Sequence, residues 1–482
     1  MATTAPRKPS DPQRLAPAQR IGLLVALLLL TVPLAAQYFG MPFPGLSESG
    51  HRVLGIFLMA IVLWVTEAIP LHATATVIIL LEILFISDKA LLPIPEGFEP
   101  KSYRSFFATL ANPILMLFLG GFFLADGAAK FDLDRNLARV MLKPFGTSPR
   151  RIMLGLMLIT AVFSMFMSNT ATTATMMMVV LPVIHKLPSG DRMRIGLGLS
   201  IPLAANVGGI GTPIGTPPNA IALGALTAAG HPIGFLQWMM MAVPFVLVIL
   251  LLAWLLLGVL FPSKDTAIEL KIDSRFATSW SAKVFYVTAA ATILLWLTEQ
   301  LHGMSSGIVG FVPVAVLLST RVFTAKDLRS VQWQVLWLVA GGIALGAGVG
   351  ASGLDNWLIG LVAWNSVPAW MLVGVLALVA LVFSTFISNS ATANLLVPIG
   401  ISLAASPAIE LHPVLAGVFI AVGASLAMAL PVSTPPNAIA VSTGMVRTKD
   451  LAMVGVLVGA IGWALFVCVA PTLWRWTGVL PS

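Results

Sequence analysis

Apolar segments of 16 to 27 residues, bounded by charges, recur along nearly the whole chain. Such lengths match crossings of a roughly 30 Å hydrocarbon core at about 1.5 Å per residue. The first run, Ile21–Gln37, ends in a Leu-Ala-Ala-Gln stretch that resembles a signal-peptide cleavage site, but the runs that follow favour a span. Further spans are expected at about Val53–Ile69, Leu71–Ile86 and Pro113–Ala128, the last with a basic amphipathic extension through Lys143. Two pieces of about 16 residues, Ile152–Met167 and Ala171–Lys186, flank the polar triplet Ser168-Asn169-Thr170. A segment over 195–229 is interrupted by Gly208, Gly209, Gly211, Pro213, Gly215, Pro217 and Pro218, which prevent continuous helix. Phe235–Phe261 closes this half.

The plan then repeats. Spans are expected at about Phe285–Leu297, Ile308–Leu318 and Val335–Val349, the last with a helical extension to Ala363. A second flanked triplet, Ser388-Asn389-Ser390, falls between Ala369–Ile387 and Ala391–Ala405, 220 positions after the first. A second broken segment over 414–445 and a final span, Leu451–Trp474, complete the copy. Each triplet has a proline-rich partner, GGIGTPIGTPPNAIA at Gly208–Ala222 and ALPVSTPPNAIA at Ala429–Ala440, and LWVTE at Leu63–Glu67 matches LWLTE at Leu295–Glu299. The repeat covers almost the whole chain.

Charge placement decides the topology. Arg135, Arg139, Lys143, Arg150 and Arg151 precede the first flanked triplet and Lys186, Arg192 and Arg194 follow it, so both ends belong to the cytoplasm. Two full spans or one re-entrant hairpin would both return there, but two full spans would make the triplet an ordinary outer loop, with no need for its setting of Met, Phe and Ala. With both flanked triplets read as hairpins (152–186 and 369–405), eleven spans remain. These are one N-terminal span followed by two five-span repeats, and the odd number inverts the second copy. The chain divides into a disordered cytoplasmic tail (1–20), a first span plus first repeat (21–262), a cytoplasmic linker (263–284) and a second repeat (285–477). Of 27 Lys and Arg, 22 fall in loops this topology makes cytoplasmic, the exceptions being Arg52, Lys89, Lys101, Arg104 and Arg475. The N-terminus is expected in the cytoplasm and the C-terminus outside, in the cell (inner) membrane.

Composition agrees. The 482 residues are 58% hydrophobic and 10% charged, far from soluble usage. The net charge of +8 would suit nucleic acid, but positive-inside bias accounts for it, so no nucleic-acid partner is expected. The single cysteine, Cys468, excludes an internal disulfide and reads as a small buried side chain. Glu67, Glu82, Asp126 and Glu299 lie near predicted span ends and read as interfacial, as do Trp238, Trp280, Trp333, Trp474 and Trp476. Met176–Met178 read as helix packing.

Inverted repeats with discontinuous segments at mid-membrane are the plan of many secondary transporters. Each break presents helix ends: free amides suit an anion, and free carbonyls suit a cation. Ser, Asn and Thr supply neutral donors and acceptors without a buried charge. No Lys, Arg, Asp or Glu lies near either triplet in sequence, so a bound multivalent anion lacks a permanent counterion. Co-bound sodium, a hard ion suited to oxygens, would supply the positive charge. Two equivalent tips suit a substrate with two carboxylates, and a single oxyanion could use the same groups. A proton antiporter would need a buried carboxylate beside the triplets, and an intramembrane enzyme a nucleophile with a base, or a metal cluster. Neither pattern stands near them.

At these residues the chain resembles the divalent anion/sodium symporter family, solute carrier family 13, which carries dicarboxylates, citrate and sulfate. The resemblance implies an all-α polytopic elevator-type transporter, a homodimer in lipid whose hairpins and broken helices slide against a fixed scaffold. It implies sodium-coupled uptake of a C4 dicarboxylate such as succinate, fumarate or malate. Sodium-free dicarboxylate or citrate/succinate antiport, or sulfate symport, occur on the same pattern. Substrate contacts are implied for Ser168, Asn169, Thr170, Thr216, Ser388, Asn389, Ser390 and Pro435. Sodium contacts are implied for Ser164, Ser168, Asn169 and Gly215 at one site, and Ser384, Ile387, Asn389 and Ser433 at the other. Ser390 departs from the family's Thr: the hydroxyl remains and a methyl is lost.

Overall fold

A computed structural model describes residues 16–39, 43–263, 267, 275–361, 368–406, 409 and 411–478. Most of the expected tail and much of the expected linker lie outside the described residues. Residues 17–20, assigned above to the tail, instead form the first turn of α1 (Pro17–Phe39), which packs on α2 (Glu48–Thr66). There follow α3 (Leu71–Ile86), α4 (Tyr103–Ala108), α5 (Pro113–Lys130) and α6 (Leu133–Leu142). The expected extension of α5 is a separate helix, because Asp132 adopts left-handed backbone, φ 48° and ψ 31°, and turns the chain. Arg52, one of the charges on the wrong side, is not a topological signal. It is buried, pairs with Glu48 at 2.7 Å and caps the carbonyls of Phe85 and Pro93.

α7 (Pro149–Phe166) and α8 (Asn169–Lys186) carry the first triplet at their junction, followed by α9 (Met193–Gly209), α10 (Pro217–Ala228) and α11 (Phe235–Leu260). The second series is α12 (Trp280–Leu297), α13 (Glu299–His302), α14 (Ser306–Ser319), α15 (Ala325–Ser330), α16 (Trp333–Ser352) and α17 (Leu354–Gly360). α16 also stops short of its expected length, at Gly353 with φ 71°. Then come α18 (Ala369–Phe386), α19 (Asn389–Ala404), α20 (Pro413–Ser425), α21 (Pro435–Ser442) and α22 (Thr448–Trp476). Among the described residues the only strand-type pairing is an isolated bridge, Ser87–Lys101. Among the described residues, eight helical segments are long and apolar enough to cross a membrane, with α3, α14, Trp370–Phe386 and α20 as shorter apolar helices.

The packing repeats with the sequence. α7 lies on α9 as α18 lies on α20, and α8 on α9 as α19 on α20. α5 crosses α14, and α3 crosses α16, where Gly120 meets Gly310 and Gly341 meets Ala75 backbone to backbone. One correspondence fails: α10 and α19 pack against α16, whereas their counterparts α21 and α8 do not pack comparably on α5.

Several expectations about single residues are corrected. Trp238 and Trp474 are buried, donating to the carbonyls of Ile210 (2.9 Å) and Met241 (3.1 Å), because an indole N–H inside an apolar protein needs an acceptor. Glu82 is not interfacial but wholly buried, its carboxylate against Gly348 of α16. Cys468 faces outward from α22.

Candidate functional site

The two triplets fold alike. Ser168 is the N-cap of α8, with φ −64°, ψ 139° and its Oγ accepting from Ala171 N at 3.2 Å. Ser388 caps α19 with φ −65°, ψ 143° and the same bond to Ala391 N, also 3.2 Å. Serine is used because its short oxygen reaches an otherwise unpaired amide of the first turn. Each N-cap follows an extended residue, Met167 or Ile387, that ends the preceding arm. The result is a helix–tip–helix hairpin that exposes the next amides and hydroxyls.

Behind each tip the oxygens crowd together. Ser164 Oγ lies 2.5 Å from Asn169 Oδ1 and 2.7 Å from the Ala205 carbonyl. Ser384 Oγ lies 2.7 Å from Asn389 Oδ1 and 2.8 Å from the Ala424 carbonyl. One hydroxyl proton serves two acceptors in each cluster, so three oxygens converge with a deficit of positive charge. The same contact sets the carboxamide: with Oδ1 held at the cluster, Nδ2 is left for the other side. Gly209 makes room for it, since a Cβ there would collide with the Asn169 amide. Gly215 is equally constrained, because its Cβ would strike the backbone of Gly209 where the loop folds back.

The Pro-Pro-Asn element explains how the breaks hold. Prolines at the first helical turn of α10 and α21 lose no hydrogen bond, because those amides have no intrahelical acceptor. The asparagine then fastens the loop before it. Asn219 Nδ2 donates to the carbonyls of Gly209, Ile210 and Thr212 at 3.0, 3.3 and 2.8 Å, and Asn437 Nδ2 to those of Met428 and Leu430 at 2.9 and 3.0 Å. Carbonyls left bare by α9 and in the loop after α20 are thereby satisfied inside the protein, as non-helical backbone in an apolar interior requires. Thr212 donates to the Met165 carbonyl and Ser433 to that of Thr385 (2.7 Å), tying each loop to its own hairpin.

These parts meet around one cavity of about 280 Å³. Its wall includes all eight residues implied for substrate, together with Gly215 and Ser433, and, among the described residues, no charged side chain. Ser164 and Ser384 stand behind the tips rather than on the wall, and Ile387 lies in the extended link. Sequence reasoning missed the facing wall of Leu71, Phe118, Phe122, Gln332 and Val335, contributed by α3, α5 and the start of α16. Nothing distinguishes such residues locally from ordinary span residues. Asn206, buried in α9 and also on the wall, did leave a signal: a carboxamide inside an apolar run, two residues before the glycine pair.

The chain matches the family model described as the sodium:sulfate symporter transmembrane region over residues 22–480. It is 33% identical to the sodium-dependent dicarboxylate transporter SdcS of Staphylococcus saprophyticus, covering 93% of this chain and 91% of that protein. It is 32% identical to the protein of the same name from Staphylococcus aureus, over 94% and 90%. Among solved structures, the Alcanivorax borkumensis YdaH transporter matches with a TM-score of 0.54 at 14% identity, over 90% of this chain and 99% of that one. That likeness is one of fold alone.

Proposed function

Because the chain belongs to the divalent anion/sodium symporter family, whose members are membrane transporters and not enzymes, we propose that it imports a C4 dicarboxylate with sodium. The observation that carries this reading is the two-faced carboxamide: at each tip Asn Oδ1 sits in an oxygen cluster while the residue itself lines a cavity without charged side chains. Sodium takes the cluster side, replacing the shared proton's role with a full positive charge. The substrate carboxylates take the donor side, meeting Asn169 and Asn389 Nδ2, the hydroxyls of Ser168, Thr170, Ser388 and Ser390, and the amides at the starts of α8 and α19.

Coupling follows from the geometry of one group. Sodium draws electron density toward Oδ1, which makes Nδ2 a better donor to the carboxylate, and the bound carboxylate favours sodium in return. This reciprocity is required of any coupling free energy. Two sodium ions and a dianion form a neutral load, which lowers the cost of crossing an apolar interior. Thr216 and Pro435 border the load, and Gly215, Ile387 and Ser433 complete the sodium sites with backbone and side-chain oxygen.

In this reading the hairpins and broken helices form an elevator against a scaffold containing α3, α5, α14 and α16, within a homodimer. Eleven spans with a cytoplasmic N-terminus place the starts of α3 and α16 inside. The presence of Leu71, Gln332 and Val335 on the cavity wall, with α10 and α19 packed on α16 while α21 and α8 do not pack comparably on α5, then supports a state open to the cytoplasm. Small residues on α16, Gly342, Gly346 and Gly350, face the moving body and suit sliding. A thermal-shift screen of succinate, fumarate, malate, citrate and sulfate, with and without sodium, tests the reading, since ligand binding stabilises the folded protein by mass action. A C4 dicarboxylate should raise the melting temperature only with sodium present. Stabilisation by sulfate alone, or by dicarboxylate equally in choline, would reject it.

A further inference from the structure

The hydrogen-bond network around Asn437 fixes the orientation of a second carboxamide in the cavity. Asn437 Nδ2 is committed to the carbonyls of Met428 and Leu430, so its Oδ1 must face Asn206. Asn206 therefore presents Nδ2, which donates to Asn437 Oδ1 at 3.1 Å and to Thr434 Oγ1 at 3.2 Å. Its own Oδ1 is left without a hydrogen bond, on a residue whose slight exposure is to the cavity. At the tips the polarity is reversed, with Oδ1 held behind and Nδ2 free. Asn206 thus offers the cavity an acceptor that cannot donate.

The other repeat has no equivalent. The packing of Ser164 on Ala205 and of Ser384 on Ala424 aligns Asn206 with Ser425. The Ser425 hydroxyl is buried without a partner, off the cavity wall. The acceptor is consequently one-sided.

Carboxylate oxygens cannot satisfy Asn206 Oδ1, because they too only accept. We propose that Asn206 accepts a hydrogen bond from an alcohol on the substrate, making the protein selective for a hydroxylated C4 dicarboxylate over its unsubstituted parent. The proposal rests on the dicarboxylate reading above. A site built around a substrate hydroxyl disfavours the analogue that lacks it, since the site's polar group is then left unpaired.

The test compares malate with succinate on the wild type and on Asn206→Ser, by sodium-dependent melting shift and by sodium-driven uptake into proteoliposomes. One hydrogen bond corresponds to roughly a three- to tenfold lower half-saturation for malate. The serine variant should lose that preference while keeping its half-saturation for sodium. Equal or better binding of succinate by the wild type would overturn the proposal, and so would a variant that shifts both acids equally or shifts sodium instead. Should the serine variant fail to fold, Asn206→Thr replaces it, and the wild-type ratio remains decisive. Failure of the dicarboxylate reading looks different: neither acid would shift the melting temperature or enter the vesicles.

Discussion

Replacing Gly209 with alanine should disable the first tip without touching the triplet itself. A Cβ at this position would lie 2.5, 2.8 and 3.0 Å from Asn169 Oδ1, Nδ2 and Cγ, where favourable contact begins at about 3.5 Å. The amide has little freedom to retreat, because Ser164 holds Oδ1 at 2.5 Å. Two escapes exist. The backbone can absorb the overpacking at about 1–3 kcal/mol, or the amide can swing away and forfeit its hydrogen bond at about 0.5–1.5 kcal/mol. In the second case much of the cost falls on binding, because the loaded site needs the amide returned. At tenfold per 1.4 kcal/mol, half-saturation for both sodium and substrate should rise by about 2- to 12-fold. The assay is labelled-succinate uptake into proteoliposomes across a sodium titration, with melting temperature as the check on folding. Gly190→Ala, with nothing within 4 Å of the added carbon, serves as the control and should match wild type. Normal sodium and substrate dependence in Gly209→Ala would refute the two-faced carboxamide.

Asn169→Ala and Asn389→Ala should each abolish uptake while leaving a folded, monodisperse protein, and normal transport by either would remove the need for two tips. A pH effect is expected at His412, the N-cap of α20, whose Nδ1 accepts from Val414 N at 3.2 Å and whose ring faces His231 at 5.4 Å. Burial, and then the charge of His231, hold its pKa below 6.5. The protonated form is disfavoured in the folded state, so this contribution to stability is full above pH 6.5 and fades as pH falls through the lower folded value. His412→Asn keeps an acceptor at the cap and should flatten the loss of melting temperature between about pH 7 and pH 5. An unchanged slope would show that the acid sensitivity lies elsewhere.

The hairpin tips and breaks were legible because they are written in local chemistry. Ser168 and Ser388 cap helices as serine does anywhere, prolines sit where amides are unpaired, and duplication marks them against an apolar background. What stayed hidden depends on partners distant in sequence. Asn206 and Asn437 meet across 231 positions, and only the fold reveals which end of each amide is free. Phe118 and Phe122 resemble any span residues until the cavity forms against them. Burial of Trp238, Trp474 and Glu82 was misjudged for one reason: position near a span end suggests an interface, while neighbouring helices decide whether that end is covered. Helix ends at Asp132 and Gly353 were missed because left-handed backbone at Asp or Gly is a choice, and sequence does not announce it.

Sodium and a dicarboxylate are proposed to travel together through these tips. Uptake of labelled succinate into proteoliposomes under an inward sodium gradient, repeated with sodium replaced by potassium and by choline, addresses this directly. Uptake should be rapid with sodium and fall to the level of protein-free vesicles with either substitute. An equal rate in all three salts would contradict the coupling, and with it the role given to the oxygen clusters behind Asn169 and Asn389.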